Sequence, residues 1–133
     1  MADPLALDVQ VLGQESLVTL LVQAGPQGDE VLGQALYEEG QLAFRQSQKE
    51  VPVRFGGLKN SGRLSPPSVM GGNVEVLITY GSTAIDYAAH VHEKNKKYNR
   101  GRKWKYLYDP VQARIDGLDR RLSKRVARIL GGA

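Results

Sequence analysis

Apolar residues recur every three or four positions in two stretches of the chain and every second position in others. The clearest helical run lies near the C-terminus, where Val111, Ile115, Leu118, Leu122, Val126 and Ile129 repeat along one side. Arg114, Arg121, Lys124, Arg125 and Arg128 occupy the opposite side. Asp109 suits an N-cap, Pro110 a first helical turn and Gly131-Gly132 a stop, so a single amphipathic helix is predicted between them. A second helix is predicted over 29–49. Leu32, Leu36 and Ala43 keep its spacing with Val31, Ala35 and Leu42 beside them, and Asp29 is placed to cap it. Arg45 and Lys49 suit the negative end of its dipole, and Pro52 ends it. Gly33 and Gly40 lie seven apart within it, which predicts close packing against another backbone.

Strand patterns are shorter. Residues 5–12 alternate near their end, and 63–65 form a brief run before Pro66-Pro67. Gly71-Gly72 marks the bend of a hairpin, and Asn73-Val-Glu-Val-Leu-Ile-Thr-Tyr80 is the best single strand. Residues 84–92 are read as a second strand or an irregular extended segment. A short helix is placed at 14–24, stopped by Gly25-Pro26. Loops are placed at about 54–73 and 93–105. The sum is α+β: a small, mostly antiparallel sheet flanked by a long helix before it and another after it. At 133 residues the chain is expected to form a single domain, 1–133.

Charge changes the picture. Residues 1–93 carry five basic and eleven acidic side chains, a net −6, whereas 94–133 carry thirteen basic and three acidic, a net +10. Lys94, Lys96, Lys97, Arg100, Arg102, Lys103 and Lys105 alternate with Tyr98 and Trp104. That is the composition of a non-specific phosphate-binding segment, so a nucleic-acid-binding module using 94–128 is one reading. The same asymmetry fits an acidic neighbouring subunit. Cysteine is absent, which excludes disulfides, thiolate metal sites and a thiol nucleophile. No apolar run approaches the ~20 residues of a membrane span, and Met1-Ala2-Asp3-Pro4 has no positive charge ahead of an apolar run, so neither a span nor a signal peptide is expected.

Catalytic signatures are sparse. No phosphate loop, dinucleotide fingerprint or Gly-x-Ser-x-Gly is present. His90 and His92 would share a face on a strand, with Glu93 or Asp86 near them. Two imidazoles fall short of the four ligands of a structural zinc site, so they are read as hydrogen-bonding groups at a sheet edge or subunit contact. Catalytic, cofactor and metal residues are therefore assigned as none, and the chain is not expected to be an enzyme.

Three blocks, in order, resemble the tail-component family of long-tailed bacteriophages. Its members carry a Pro-Val-Asp-Thr-Gly-x-Leu-Arg-x-Ser block, then Tyr-Ala-x-x-Val-His-Glu, then a Lys-Phe-Leu-like block before a closing helix. Here these read Pro52-Val-Arg-Phe-Gly-Gly-Leu-Lys-Asn-Ser61, Tyr87-Ala-Ala-His-Val-His-Glu93 and Lys103-Trp-Lys-Tyr-Leu-Tyr-Asp-Pro110, with Arg54-Phe55 standing where Asp-Thr is usual. The resemblance covers roughly 28–130, leaving 1–27 as an N-terminal strand and short helix. It implies a virion protein of the neck or tail, made in the bacterial host cytoplasm. It implies a homo-oligomeric ring, sixfold or twelvefold, joining the head connector or head-closure protein to the tail tube or terminator. Genomic DNA would pass through the ring. Phe55, Leu58, Tyr87, His90, His92, Trp104 and Tyr106 become the expected subunit or partner contacts. Lys96, Lys97, Arg100, Arg102, Lys103, Arg121, Lys124, Arg125 and Arg128 become the residues expected to face DNA or an acidic partner. Each aromatic and small residue in these blocks also suits plain core packing.

Overall fold

The longest described element is a 23-residue helix, α1 (Gly28–Glu50), against which the strands at 63–64, 68–70 and 73–75 and the helices after residue 107 pack. The structure is a computed structural model and describes residues 5–6, 25–53, 57–70, 73–82, 85, 87–97 and 101–131. The expected helix at 14–24 lies outside these, as does all of the expected strand at 5–12 except β1 (Leu5–Ala6). Helix α1 starts one residue earlier than predicted, after a 3-10 turn at Gly25–Gln27. Gln27 takes the cap position without a side-chain bond. Asp29 does not cap; with Glu30 it lies in the first turn, where a carboxylate favours the positive end of the dipole. At the other end the Val51 N–H donates to the Ser47 carbonyl, and Val51 turns extended, as the following proline requires.

The buried row of α1 is rotated from the predicted one. It steps Val31, Ala35, Glu39, Ala43, Ser47, four residues at a time, with Leu32 and Leu36 half-buried on its flank. Gly33 and Gly40, which lie off this row, let neighbouring segments come close. A Cβ on Gly33 would stand 2.9 Å from Pro67 Cβ, and one on Gly40 would stand 3.2 Å from both Leu64 Cδ1 and Val76 Cγ1. The close approach is thus against side chains of the strand segments, not against another backbone.

The protein is α+β. Strand β5 (Ile78–Tyr80) is central in a three-stranded antiparallel sheet, with β1 on one side and β2 (Arg63–Leu64) on the other. A separate hairpin pairs β3 (Ser68–Met70) with β4 (Asn73–Glu75) in the register Ser68↔Glu75, Val69↔Val74, Met70↔Asn73. The glycine bend predicted between them lies outside the described residues. The strand predicted over 73–80 is therefore broken at Val76–Leu77, and its halves belong to different sheets. The cause lies on the opposite side. Between the pairs Leu64↔Ile78 and Ser68↔Glu75, three residues face two. Two of the three, Pro66 and Pro67, have no N–H for the ladder. Ser65 alone bridges the gap: its N–H donates to the Leu77 carbonyl at 2.8 Å and its Oγ accepts from the Leu77 N–H at 2.7 Å.

Where a second strand or extended segment was expected, residues 88–93 form a helix, α2 (Ala88–Glu93). The helix turns Ala88, Val91 and His92 inward and leaves Ala89, His90 and Glu93 exposed, the i, i+3, i+4 pattern of one face. The predicted C-terminal helix is two helices, α3 (Tyr108–Ala113) and α4 (Leu118–Leu130). Gly117 sits between them at φ 72°, a left-handed conformation that interrupts the helical ladder and that glycine adopts without strain. Ile115, one of the periodic residues, falls in this turn and is exposed. Asp109 lies inside the first turn of α3, with Leu107 at its cap.

Among the described residues two apolar cores result. The first gathers Ala43 and Val51 of α1 and its end, Leu58, Ile78 and Tyr80 of β5, Ala88 and Val91 of α2, and Tyr106-Leu107. The second joins Val31 and Ala35 of α1 to Leu118, Leu122 and Val126 of α4. Among the described residues no helix is long and apolar enough to cross a membrane.

Candidate functional site

The three motif blocks meet in the first core. Leu58 comes from the first, Ala88, Val91 and His92 from the second, and Tyr106-Leu107 from the third. Tyr106 is the hub. Its hydroxyl donates to the Ala88 carbonyl at 2.7 Å. Its ring meets Tyr80 and His92 edge-on, both at 5.1 Å between centroids. The Tyr80 hydroxyl shares a hydrogen with Ser47 Oγ at 2.8 Å and accepts from Gln48 Nε2 at 2.9 Å. Burial raises both phenols above their ordinary value, so they stay protonated and act as hydrogen-bonding struts.

The two histidines do not form a pair. On a helix, residues two apart point about 200° apart, and accordingly His90 is exposed while His92 is buried. His92 Nδ1 lies 2.9 Å from Glu93 Oε1, Nε2 accepts the Tyr108 N–H at 3.1 Å, and the His92 carbonyl accepts the Lys105 N–H at 2.8 Å. Burial lowers the imidazole below its ordinary value, although Glu93 pulls the other way. Asp86, the other weighed neighbour, lies outside the described residues. Among those described, no three histidine or acidic groups are placed to hold a metal ion.

The basic helix meets its acidic counterpart inside the chain. Glu39 of α1 is 3% exposed. It accepts from Arg121 Nε at 2.8 Å, from Arg125 Nε at 2.9 Å and from Arg114 at 3.2–3.3 Å. Neighbouring Glu38 accepts from Arg125 at 2.6 Å and from Arg128 at 2.5 and 2.8 Å. Burial acts to raise the Glu39 carboxyl, but the hydrogen bonds from Arg121, Arg114 and Arg125 outweigh it and hold it below the usual carboxylate value. Arg121, Arg125 and Arg128, expected to face DNA or an acidic partner, therefore have intramolecular carboxylates as partners. Lys124 is exposed on α4, as is Arg120.

The described parts of the loop predicted at 93–105, residues 94–97 and 101–105, are tied down rather than free. Lys97 and Lys103 form an antiparallel bridge, the Trp104 N–H donates to the Lys96 carbonyl at 3.0 Å, and the Lys103 N–H donates to the Glu50 carbonyl at 2.8 Å. Arg102 donates to the Val51 carbonyl at 2.7 Å and the Gln48 carbonyl at 3.2 Å, closing the C-terminus of α1. The Lys103 ammonium pairs with Asp109. The Lys105 ammonium pairs with Glu93 at 2.9 Å and lies 5.3 Å from the centroids of both the Trp104 and Tyr108 rings. Lys94, Lys96 and Lys97 remain exposed. Arg100 lies outside the described residues.

Of the expected contact residues, Leu58, His92 and Tyr106 are buried within the subunit, so their contacts are with its own core. Tyr87 and Trp104 are half-buried, His90 is exposed and Phe55 lies outside the described residues. A shallow cavity of about 300 Å³ lies beside the 3-10 turn Lys59–Ser61, lined by Asn60, Ser61, Arg63 and Ser82. Its polar groups are engaged locally: Ser61 Oγ bonds the Leu58 carbonyl and the Gly81 N–H, and Arg63 bonds the Asn60 and Gly62 carbonyls.

Compared with family models, curated proteins and solved structures, the chain matches none.

Glu38 and Glu39 are the residues that sequence reading missed. The signal for Glu39 was its position in the four-residue row Val31-Ala35-Glu39-Ala43-Ser47, where a carboxylate interrupts small residues and needs a partner.

Proposed function

We propose that this chain is a structural subunit of the head–tail connection of a long-tailed bacteriophage, a neck or tail-completion protein. It forms a ring with copies of itself, between the capsid connector and the tail tube, and makes and breaks no bond. The observation that carries this reading is the convergence of the three motif blocks. They are separated in sequence, yet Leu58, Ala88, His92 and Tyr106 touch one core, as expected if the blocks preserve a shared architecture rather than scattered surface features. Heterologous contacts close such a ring when the rotation between subunits closes. Exposed Lys94 and Lys97, together with Arg120 and Lys124, offer positive charge to an acidic neighbour or to DNA in the channel.

Light scattering after size exclusion, with electron microscopy of the same fractions, tests the proposal. Rings of one fixed subunit number, and the protein's presence at one level of the tail axis in virus particles, are expected. A monomer at all concentrations that is absent from particles overturns it. Salt-sensitive DNA binding by that monomer would favour a nucleic-acid module using 94–128, although Arg114, Arg121, Arg125 and Arg128 are engaged with Glu38 and Glu39.

A further inference from the structure

His92 makes a set of bonds that only its neutral form can make. A backbone N–H can only donate, so the Tyr108 N–H 3.1 Å away requires a bare Nε2. The ring proton must then sit on Nδ1, where it donates to Glu93 at 2.9 Å. The His92 carbonyl holds the Lys105 N–H, so one residue fastens the Lys105–Tyr108 stretch to α2 at two points. The ring itself packs edge-on against Tyr106, and the side chain is 2% exposed.

We propose that His92 is a proton-operated latch, closed when neutral and opened by acid, that fixes the segment Lys103–Tyr108 against α2. A proton added to Nε2 sets two donors against one another and places a cation in the core. The charged groups facing the ring are Glu93 on α2 and Lys105 and Asp109 on the segment opposite, with Tyr106 covering its face. Glu93 Oε1 already bonds Nδ1 and favours the imidazolium, but its other oxygen serves Lys105 and Asp109 serves Lys103, while no described group on the Nε2 side can accept the added proton. Opening withdraws the Tyr108 N–H from Nε2 and loosens Trp104. Through the Lys97↔Lys103 bridge and the Trp104–Lys96 bond, it also loosens the cationic run Lys94–Lys97. The latch stands apart from the proposed virion role and holds whether or not the chain forms rings.

The chain has two histidines and one tryptophan, so each event has its own reporter. Nitrogen NMR of the imidazoles reads the tautomer and protonation of His92, and Trp104 emission reads the segment. The expected result at neutral pH is a bare Nε2 on His92. On acidification His92 takes its proton below the ordinary histidine value of about 6.5. A reversible step in Trp104 emission accompanies it at the same midpoint while far-ultraviolet circular dichroism is unchanged. His90→Gln assigns the resonances and keeps the step. His92→Gln presents an amide oxygen to the Tyr108 N–H and loses the step. A protonated Nε2 at neutral pH, His92 titration without an emission step, a step accompanied by loss of helix, or a step that survives in His92→Gln overturns the latch. If His92→Gln does not fold, the coincidence or separation of the two midpoints in the parent protein decides.

Discussion

Replacing Glu39 by glutamine should be among the most damaging conservative changes in the chain. The amide keeps the shape but presents one carbonyl oxygen where three guanidinium groups converged on a carboxylate. Removing one member of a fully buried ion pair costs about 3–5 kcal/mol. The arginines here are 25–32% exposed, so water recovers part of the loss, and we expect roughly 2–4 kcal/mol. For a chain of this size that lowers Tm by about 10 °C, readable by calorimetry or urea titration. Arg121→Gln should cost about 1–2 kcal/mol, because Arg114 and Arg125 remain on the carboxylate. The pH dependence has a definite sign. The Glu39 carboxyl lies below its unfolded value when folded, so its contribution is complete above that unfolded value and is lost as pH falls through the folded one. The gap between parent and Glu39→Gln should therefore narrow below about pH 4. A Glu39→Gln protein within ~0.5 kcal/mol of the parent, or one whose deficit widens in acid, would refute the buried carboxylate as the node between α1 and α4.

Gly33→Ala should destabilise by about 1–3 kcal/mol despite its better helix propensity, since the new methyl meets Pro67 Cβ at 2.9 Å. Gly40→Ala should cost less, because Leu64 Cδ1 and Val76 Cγ1 at 3.2 Å are ends of side chains that can yield; denaturant midpoints compare the two. Tyr80→Phe should lose about 1–2 kcal/mol by stranding Ser47 Oγ and removing one of the two acceptors of Gln48 Nε2, with no change in fold by circular dichroism. Gly117→Ala should lose about 1–2 kcal/mol, as a Cβ at φ 72° is strained and crowds the Arg120 and Arg121 guanidiniums; thermal unfolding reads it.

Local periodicity made the helices legible, because a stripe of apolar residues records which face is covered. It placed α1 within one residue at each end and supplied the buried face of α4. It did not reveal the break at Gly117, since Val111 and Leu118 keep helical spacing although they serve different cores. Strand patterns were less informative. Residues 73–80 read as one strand because β-branching is a local property, whereas the break at Val76–Leu77 depends on two prolines across the ladder. The reading of 84–92 as extended also misplaced His90 and His92. Burial of His92 follows from helical phase, which a six-residue element hardly declares. The charge asymmetry was visible in composition, but composition does not say whether opposite charges meet within one chain or between two. The block order pointed to residues that meet in space, yet not to which of them would reach the surface.

The glycine joint at residue 117 has a consequence for how the molecule comes apart. Helix α1 underlies both cores, but α4 closes only the one around Val31 and Ala35. Glu39 grips the chain on both sides of the joint, through Arg114 before it and Arg121 and Arg125 after it. Peeling α4 away thus breaks that grip on one side only. The turn after α3 stays anchored, and the tyrosine-centred core is left intact. Amide protons of α4 will exchange with solvent through this partial opening, while those of α1 near Ala43 wait for the whole fold to dissolve.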